Sequence, residues 1–414
     1  MAWEGADVAV TNAGASSLLG AFAAAALALP GLCPEARAEL SPEDLSIDTN
    51  FSRYAESNGR MKVDVYQAAA NLVVNDKLSL RLHGVKDVIT GASPIGIGRV
   101  NAGNCKGPSL GDLRQCLSSA SISDVRDAID INATYALDKA TLDLDVGRSS
   151  ENDYESNFFN LSSRWDFDNK MTTLTAGYGY ASDQVWEIQA INGVKVRTSQ
   201  NGGDKETNQG MLGLTRILDK DSLIQANVTY AYNAGYLTDP YKYVYDPVAF
   251  FSQPYPQWVH ERRPSNRNQV GLLLNYVRNF EELNAASLHA DYRFYADSWG
   301  LDSHTFELSW LQPVWGGWML TPRARYYSQN SADFYQLIVT GQPSAFLSSD
   351  YRLAGFGAIG GGMHISRMFF DRLKVSGGVD FYQRERAWGF SGGGGTALDN
   401  FSFSMFSVSL NLKF

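Results

Sequence analysis

The clearest pattern in the sequence lies at residues 286–329, which read ASLHADYRFYADSWGLDSHTFELSWLQPVWGGWMLTPRARYYSQ. Apolar and polar residues alternate along three segments, which are separated by SWGLD at 298–302 and by WGG at 315–317. A period of two is that of a β-strand with two different faces. We therefore expect three antiparallel strands here. A soluble sandwich and a membrane barrel both fit, because a barrel turns the apolar face outward to lipid.

The same alternation runs through the rest of the chain, from Leu45 to Phe414, and gives about sixteen strands. Tight Asn/Asp/Lys turns such as 75–77 and 168–170 alternate with connections that are mostly longer, including a loop around 201–203 and the longest loop at 236–266. Outer-membrane barrels sort their connections in this way. The sequence predicts an all-β fold, a transmembrane antiparallel β-barrel with short periplasmic turns and long extracellular loops, as one domain over residues 39–414.

Composition excludes several other classes of protein. The 414 residues are 44% apolar and only 19% charged, and the net charge of −9 argues against binding to nucleic acid. The sequence contains neither GxxxxGK[ST] nor GxGxxG, so nucleotide chemistry has no support.

The N-terminus has the composition of an export signal. Leu18 to Leu32 is rich in Ala and Leu, and Ala36-Arg37-Ala38 is a small-residue cleavage site, which predicts a cleaved signal peptide at residues 1–38. A retained membrane anchor is the alternative, but the run is shorter than the roughly 20 residues that a spanning helix needs. Residues 1–17 lack Lys and Arg, so the translation start is left open.

Cleavage would leave two cysteines, Cys105 and Cys116, within one loop. In an exported chain such a pair most simply forms a disulfide. A metal site is the alternative, and it would be incomplete without a nearby histidine.

The final residues resemble the recognition signal of bacterial outer-membrane barrels. An apolar comb ends in a C-terminal aromatic residue: Phe406, Val408, Leu410, Leu412 and Phe414. This predicts the bacterial outer membrane as location, with its lipid and the barrel assembly machinery as partners. A chance alternation at a terminus is the alternative.

The sequence also resembles a known family. The runs DYRFYADSWGLDSHTFEL at 291–308, TPRARYYSQ at 321–329 and SADFY at 331–335 are similar to the uncharacterised bacterial family catalogued as the domain of unknown function numbered thirty-five seventy. The resemblance implies an outer-membrane protein and adds no substrate or reaction.

One set of charged residues shares the polar face of the three quoted strands: His289, Asp291, Arg293, Glu307, Arg323 and Arg325. Neighbouring antiparallel strands place such side chains about 5 Å apart, so we expect one charged patch on the lumen wall. It would act either as a selectivity or ligand-binding patch, or as a salt-bridge network that satisfies polar groups.

Aromatic residues near strand ends fit an interfacial girdle: Tyr178, Tyr180, Tyr230, Tyr232, Trp310, Trp315 and Trp318. Those of the longest loop would pack together, fold into the mouth or meet a partner: Tyr241, Tyr243, Tyr245, Phe250, Phe251, Tyr255 and Trp258.

No residues are assigned to catalysis, to a metal or to a cofactor. Ser303 and His304 are adjacent, and neighbours on a strand point to opposite faces, so they would not form a dyad. The first functional hypothesis is a porin-like channel or transporter for small solutes. The second is a loop-plugged barrel that binds or displays a surface to a periplasmic or extracellular partner, and an outer-membrane hydrolase is the third.

Overall fold

A computed structural model describes residues 45–97, 117–191, 194–246, 257–337, 345–390 and 401–414. Its strands are β1 Leu45–Glu56, β2 Met61–Val73, β3 Leu78–Ile97, β4 Leu117–Ala136, β5 Ala140–Ser150, β6 Tyr154–Phe167, β7 Thr172–Ile191, β8 Val194–Asp219, β9 Ser222–Gly235, β10 Tyr243–Asp246, β11 Gln257–His260, β12 Asn266–Phe280, β13 Ala286–Asp297, β14 Asp302–Pro313, β15 Trp318–Gln329, β16 Phe356–Phe369, β17 Leu373–Glu385 and β18 Phe401–Lys413.

Sixteen of these strands form a closed antiparallel barrel, and β10 and β11 form a separate two-stranded sheet. Each barrel strand pairs with its neighbours in chain order, β9 with β12, and β18 closes the circle on β1. At the closure Ser46 lies opposite Lys413, and the Phe414 amide donates to the Leu45 carbonyl over 3.0 Å. Closure leaves no unpaired barrel edge, which confirms the fold class predicted from the alternation.

The outer surface explains the alternation in the sequence. Leu82, Ile131, Leu144, Leu212 and Leu308 are exposed and point outward, while their strand neighbours face the lumen. A soluble sandwich would bury this set, whereas a barrel in lipid exposes it. Among the described residues, no helix has the length and apolar character to cross a membrane.

The two ends of the barrel differ. The turn rim carries both ends of the strand sequence and seven tight turns, such as Asp168–Lys170, where three consecutive residues have positive φ. The loop rim carries the connections that follow β1, β3, β5, β7, β9, β13, β15 and β17. The predicted sorting is only partly observed, because the loop rim also has short connections at Ser57–Gly59, 151–153 and 298–301.

One predicted loop is wrong. Residues 201–203 lie within β8, which is 26 residues long and continues to pair with β7 beyond the belt of exposed apolar side chains on the outer surface. A Cβ on Gly202 would lie 2.4 Å from the Val185 carbonyl oxygen. The glycines therefore permit close backbone approach beside a register shift at Val185/Glu187, and they do not form a turn.

Several predictions lie outside the described residues. They are the signal peptide at 1–38, the Cys105–Cys116 disulfide, and the loop aromatics Phe250, Phe251 and Tyr255.

Candidate functional site

Two loops fold across the mouth at the loop rim. We call residues 236–246, 257–265 and 345–355 the plug; the first two ranges follow β9, and the third precedes β16. Arg262 and Leu347 exchange both backbone hydrogen bonds at 2.9 Å, and the Ser349 hydroxyl donates to the Tyr243 carbonyl over 2.7 Å. Val244 and Leu347 are fully buried against each other. The two loops therefore fold as one unit.

Six buried or half-buried charged residues hold this unit together: Asp239, Lys242, Glu261, Arg263, Asp350 and Arg352. Arg263 bridges Glu261 and Asp350, with N–O distances of 2.7 Å to each. Arg352 bonds to Asp350 and reaches Asp239 Oδ2 at 2.9 Å. Three cations thus face three carboxylates. Removing one member of such a buried set leaves an uncompensated charge, which costs about 3–5 kcal/mol.

The electrostatics of this cluster favour the ionised form of Asp350. Burial alone would raise the pKa of the Asp350 carboxyl, but Arg352, Arg263 and Lys242 outweigh it and hold that pKa well below its usual range. Burial raises the pKa of Glu261, which Arg263 only partly opposes. Burial also lowers the pKa of the Lys242 ammonium.

The plug reaches the far side of the mouth. It starts between the neighbours β9 and β12, yet β10 contacts β3, which lies on another part of the barrel circle. The Tyr241 hydroxyl donates to Asp153 Oδ2 over 2.7 Å, and it accepts a hydrogen bond from the Ile188 amide at 3.0 Å. The described parts of the longest loop, 236–246 and 257–266, therefore fold into the mouth.

The hydroxyl group of Tyr241 lies beside an acidic cluster. The carboxylate oxygens of Asp124, Glu151 and Asp153 lie within 4.8 Å of one another, the one such convergence of three acidic or histidine ligands among the described residues. Burial raises the pKa of Asp153 to about 6 and that of Glu151 to about 8. We assign no metal to the cluster, because acidic groups gather in this way without one.

Behind the plug, part of the lumen wall is apolar. We call this set the apolar wall; it comprises Tyr54, Met61, Val63, Phe356, Ala358, Tyr382, Phe403 and Met405. The Phe403 ring lies 4.7 Å from the Tyr382 ring and 4.6 Å from the Tyr54 ring. Plug residue Tyr351 lies beside this wall, with the guanidinium carbons of Arg384 and Arg60 at 5.0 and 5.8 Å from its ring.

Another part of the wall is a ladder of amides and hydroxyls on β8, β9, β12 and β13. Thr207 donates to Asn233 over 2.7 Å, and Asn233 donates to Gln269 over 2.5 Å. Gln269 donates to the Tyr295 hydroxyl over 2.7 Å, which donates to Asp297 over 2.8 Å. We call these five residues the polar ladder. No sequence motif predicts it, because successive members are 26 or more residues apart except for Tyr295 and Asp297 at its end.

The structure places members of the predicted charged patch on three neighbouring strands. Asp291, Glu307 and Arg325 are in register across β13, β14 and β15. Arg323 donates to Glu307 over 2.6 Å, while Asp291 accepts from Asn275 over 2.6 Å. His289 meets the Ser287 hydroxyl at 3.4 Å, and Arg293 lies opposite Thr305. The functional and structural interpretations of the patch both remain predictions.

His304 faces outward, with its Nδ1 atom 2.9 Å from the Tyr292 hydroxyl, while the neighbouring Ser303 is buried on the other face. The girdle residues Tyr178, Tyr230, Tyr232 and Trp315 are exposed. Phe406 and Leu410 of the terminal comb are exposed on β18, and Phe414 is exposed directly after it. Their role in insertion remains a prediction.

Comparison with known proteins places this barrel in a family. A family model described as "Protein of unknown function (DUF3570)" matches residues 19–405. The chain belongs to this family. The DUF3570 number is the one that the residues at 291–335 suggested. A search of the curated proteins returned no match.

Solved structures similar to this DUF3570 member include a bacterial polysaccharide outer membrane secretin. The two are 7% identical with a TM-score of 0.51, covering 90% of this chain and 99% of that one. CdiB from Acinetobacter baumannii is 7% identical over 88% of this chain and 60% of its own, with a TM-score of 0.49. The siderophore receptor PirA from Acinetobacter baumannii is 11% identical over 85% and 54%, with a TM-score of 0.41. This chain therefore spans less than two thirds of the last two. At these identities the likeness concerns the fold, which is that of outer-membrane barrels.

Proposed function

We propose that this protein is an outer-membrane channel for small polar solutes whose outer mouth is restricted by the plug. Sixteen strands enclose a lumen wide enough for water in porins. The observation that carries the proposal is the plug itself, which crosses the mouth on a buried ion cluster. Under this proposal the turn rim faces the periplasm and the loop rim faces outward.

The polar ladder and the patch around Glu307 supply hydrogen-bonding groups along the wall, as passage of polar solutes requires. The plug would set the width of the passage. A fixed plug would make the protein a size-selective pore, and a movable plug would make it a gated one.

A second candidate is a plugged barrel that presents its mouth to a partner. The observation that favours it is the attachment of the plug on two sides, through Tyr241 to Asp153 and through Tyr351 near Arg60 and Arg384. A plug held in this way could close the lumen entirely.

Single-channel recording in planar bilayers tests the proposal. The wild type should conduct steadily, and Asp350→Asn should raise conductance several-fold, because Arg263 and Arg352 lose their shared carboxylate. Asp333→Asn is the matched control, since this exposed residue lies in the same loop outside the ion cluster. A silent wild type with a conducting Asp350→Asn variant would favour the plugged barrel. Silence in both would reject the channel.

A further inference from the structure

The outer surface carries two grooves of different character. The first, of about 480 Å³, lies over β2–β5 and is lined by Tyr66, Ala68, Gly84 and Ile129. Lys86, Asp127 and Arg148 line the same groove, where the strands continue toward the loop rim. The second, of about 320 Å³, lies over β9 and β12–β14, where its outward-facing residues include Leu274, Ala290 and Phe306 and no cation.

The floor of the first groove has small side chains. Ala68 and Gly84 lie opposite each other on β2 and β3. A Cβ on Gly84 would meet only the Ala128 carbonyl oxygen, at 3.9 Å. The backbone therefore does not require glycine at this position, and the space outside it is available to a ligand.

Charged side chains on the outer surface, nearer the loop rim than the exposed apolar side chains, distinguish this side of the barrel. Among described outward-facing residues of β1–β6 the charged ones are Arg53, Lys62, Asp64, Lys86, Asp127, Arg148 and Glu155, and Arg197 of β8 joins them. Asp64 is shared by Arg53 and Lys62, and Glu155 by Arg148 and Arg197. Counted over these outward-facing side chains alone, five cations share three carboxylates, and Lys86 is paired with Asp127 at 2.9 Å.

We propose that the first groove binds a phosphorylated lipid of the surrounding outer leaflet, with an acyl chain over Ala68 and Gly84 and a phosphate at Lys86 and Arg148. An acyl chain fits the apolar floor. A phosphate would neutralise positive charge on the loop-rim side of that floor. Lys86 and Arg148 side chains are 52% and 59% exposed, so both can turn to a headgroup. The inference rests on the proposed outer-membrane location, but not on conductance.

Native mass spectrometry of the purified full chain, titrated with diphosphorylated lipid A, tests the site. Cationic side chains near anionic lipid contribute about fivefold each to binding, so Lys86→Gln with Arg148→Gln should weaken it roughly 25-fold. The matched control is Arg216→Gln with Lys220→Gln, two ion-paired cations at the turn rim. Gly84→Leu should also weaken binding, whereas Ala290→Leu in the second groove should not.

Each outcome decides the proposal once heat-modifiable migration shows that every variant is folded. Equal loss in both double variants would mean non-specific charge attraction and would overturn it. Loss in the Lys86/Arg148 variant with full binding by Gly84→Leu would reject the acyl groove. Diacylglycerol, which has acyl chains but no phosphate, would reject the phosphate if it bound as tightly as lipid A. If the purified barrel binds lipid A here but the protein does not fractionate with the outer membrane, the proposed location is rejected and the lipid-binding site is supported.

Discussion

The apolar wall and the polar ladder both face the lumen and are both buried, yet they are stabilised differently. The polar ladder satisfies its own donors and acceptors from Thr207 to Asp297, so it does not depend on an apolar cover, although Tyr295 also packs against a cluster that includes plug residue Leu353. The apolar wall gains free energy only when water is excluded from it. The plug lies on that side, where Tyr351 sits among Arg60 and Arg384. The position of the apolar wall thus indicates one side of the barrel that the plug covers.

The largest expected effect on stability comes from removing an aromatic ring from the apolar wall. Phe403→Ala should lower the free energy of unfolding by about 3–5 kcal/mol, since the ring is buried between Tyr54 and Tyr382. Urea titration of the barrel in detergent or bilayers would measure it. Phe406→Ala, on the same strand but 50% exposed to the outside, is the control and should cost less. Equal costs would remove the distinction between covered and lipid-facing surface.

A smaller effect is expected from breaking the polar ladder at its centre. Asn233→Ala removes the acceptor of the Thr207 hydroxyl and the donor to Gln269 Oε1, at a cost of about 1–3 kcal/mol for an unsatisfied buried group. The same urea titration applies, with Asn157→Ala on the exposed outer face of β6 as control. If Asn233→Ala costs as little as the control, water satisfies the ladder and this wall borders an open lumen.

The smallest effect concerns pH at the far anchor of the plug. Burial raises the pKa of Asp153 to about 6 in the folded protein, above the usual value of about 3.9 in an unfolded chain. The folded state then binds the proton more tightly, so this group's contribution to stability is greatest below pH ~4 and is lost as pH rises through ~6. Thermal midpoints between pH 4 and 7 should therefore fall with pH.

Asp153→Asn should reduce that slope and leave the part that Glu151 contributes, because burial raises the pKa of Glu151 to about 8, while Asp76→Asn in an exposed turn should leave the slope unchanged. A slope that is as steep in Asp153→Asn as in the wild type would assign the whole pH dependence to other groups.

The barrel could be predicted from the sequence because every second side chain of each strand faces lipid, and most of these side chains are apolar. The alternation at 286–329 became β13, β14 and β15 almost residue for residue. It failed at 201–203, where glycines that look like a turn allow the backbone of β8 to approach Val185. Local residue preference cannot separate these two uses of glycine.

The plug could not be predicted for a different reason. Arg263 and Asp350 are 87 residues apart, and Asp239 and Arg352 are 113 apart. Neither pair lies in a motif, and only the closed circle of strands brings them together. The density of aromatic residues in the longest loop was the available signal, and it left the destination of the loop open.

The strands that carry the plug have one further consequence. Its loops leave the barrel at β9, β12, β15 and β16, all on one arc, while its contacts with the opposite arc include Tyr241 and β10. Such an element is joined to the barrel by the chain on one side only, and among the described residues its opposite edge is held near β3 and β6 by side-chain contacts alone. If it swings, the aperture is eccentric. A solute would then pass along the wall where Arg126 Nη2 lies 2.7 Å from Asp87 Oδ2 and, nearer the turn rim, where His83 Nδ1 lies 2.9 Å from Asp130, on the other side of the barrel from Arg323 and Arg325.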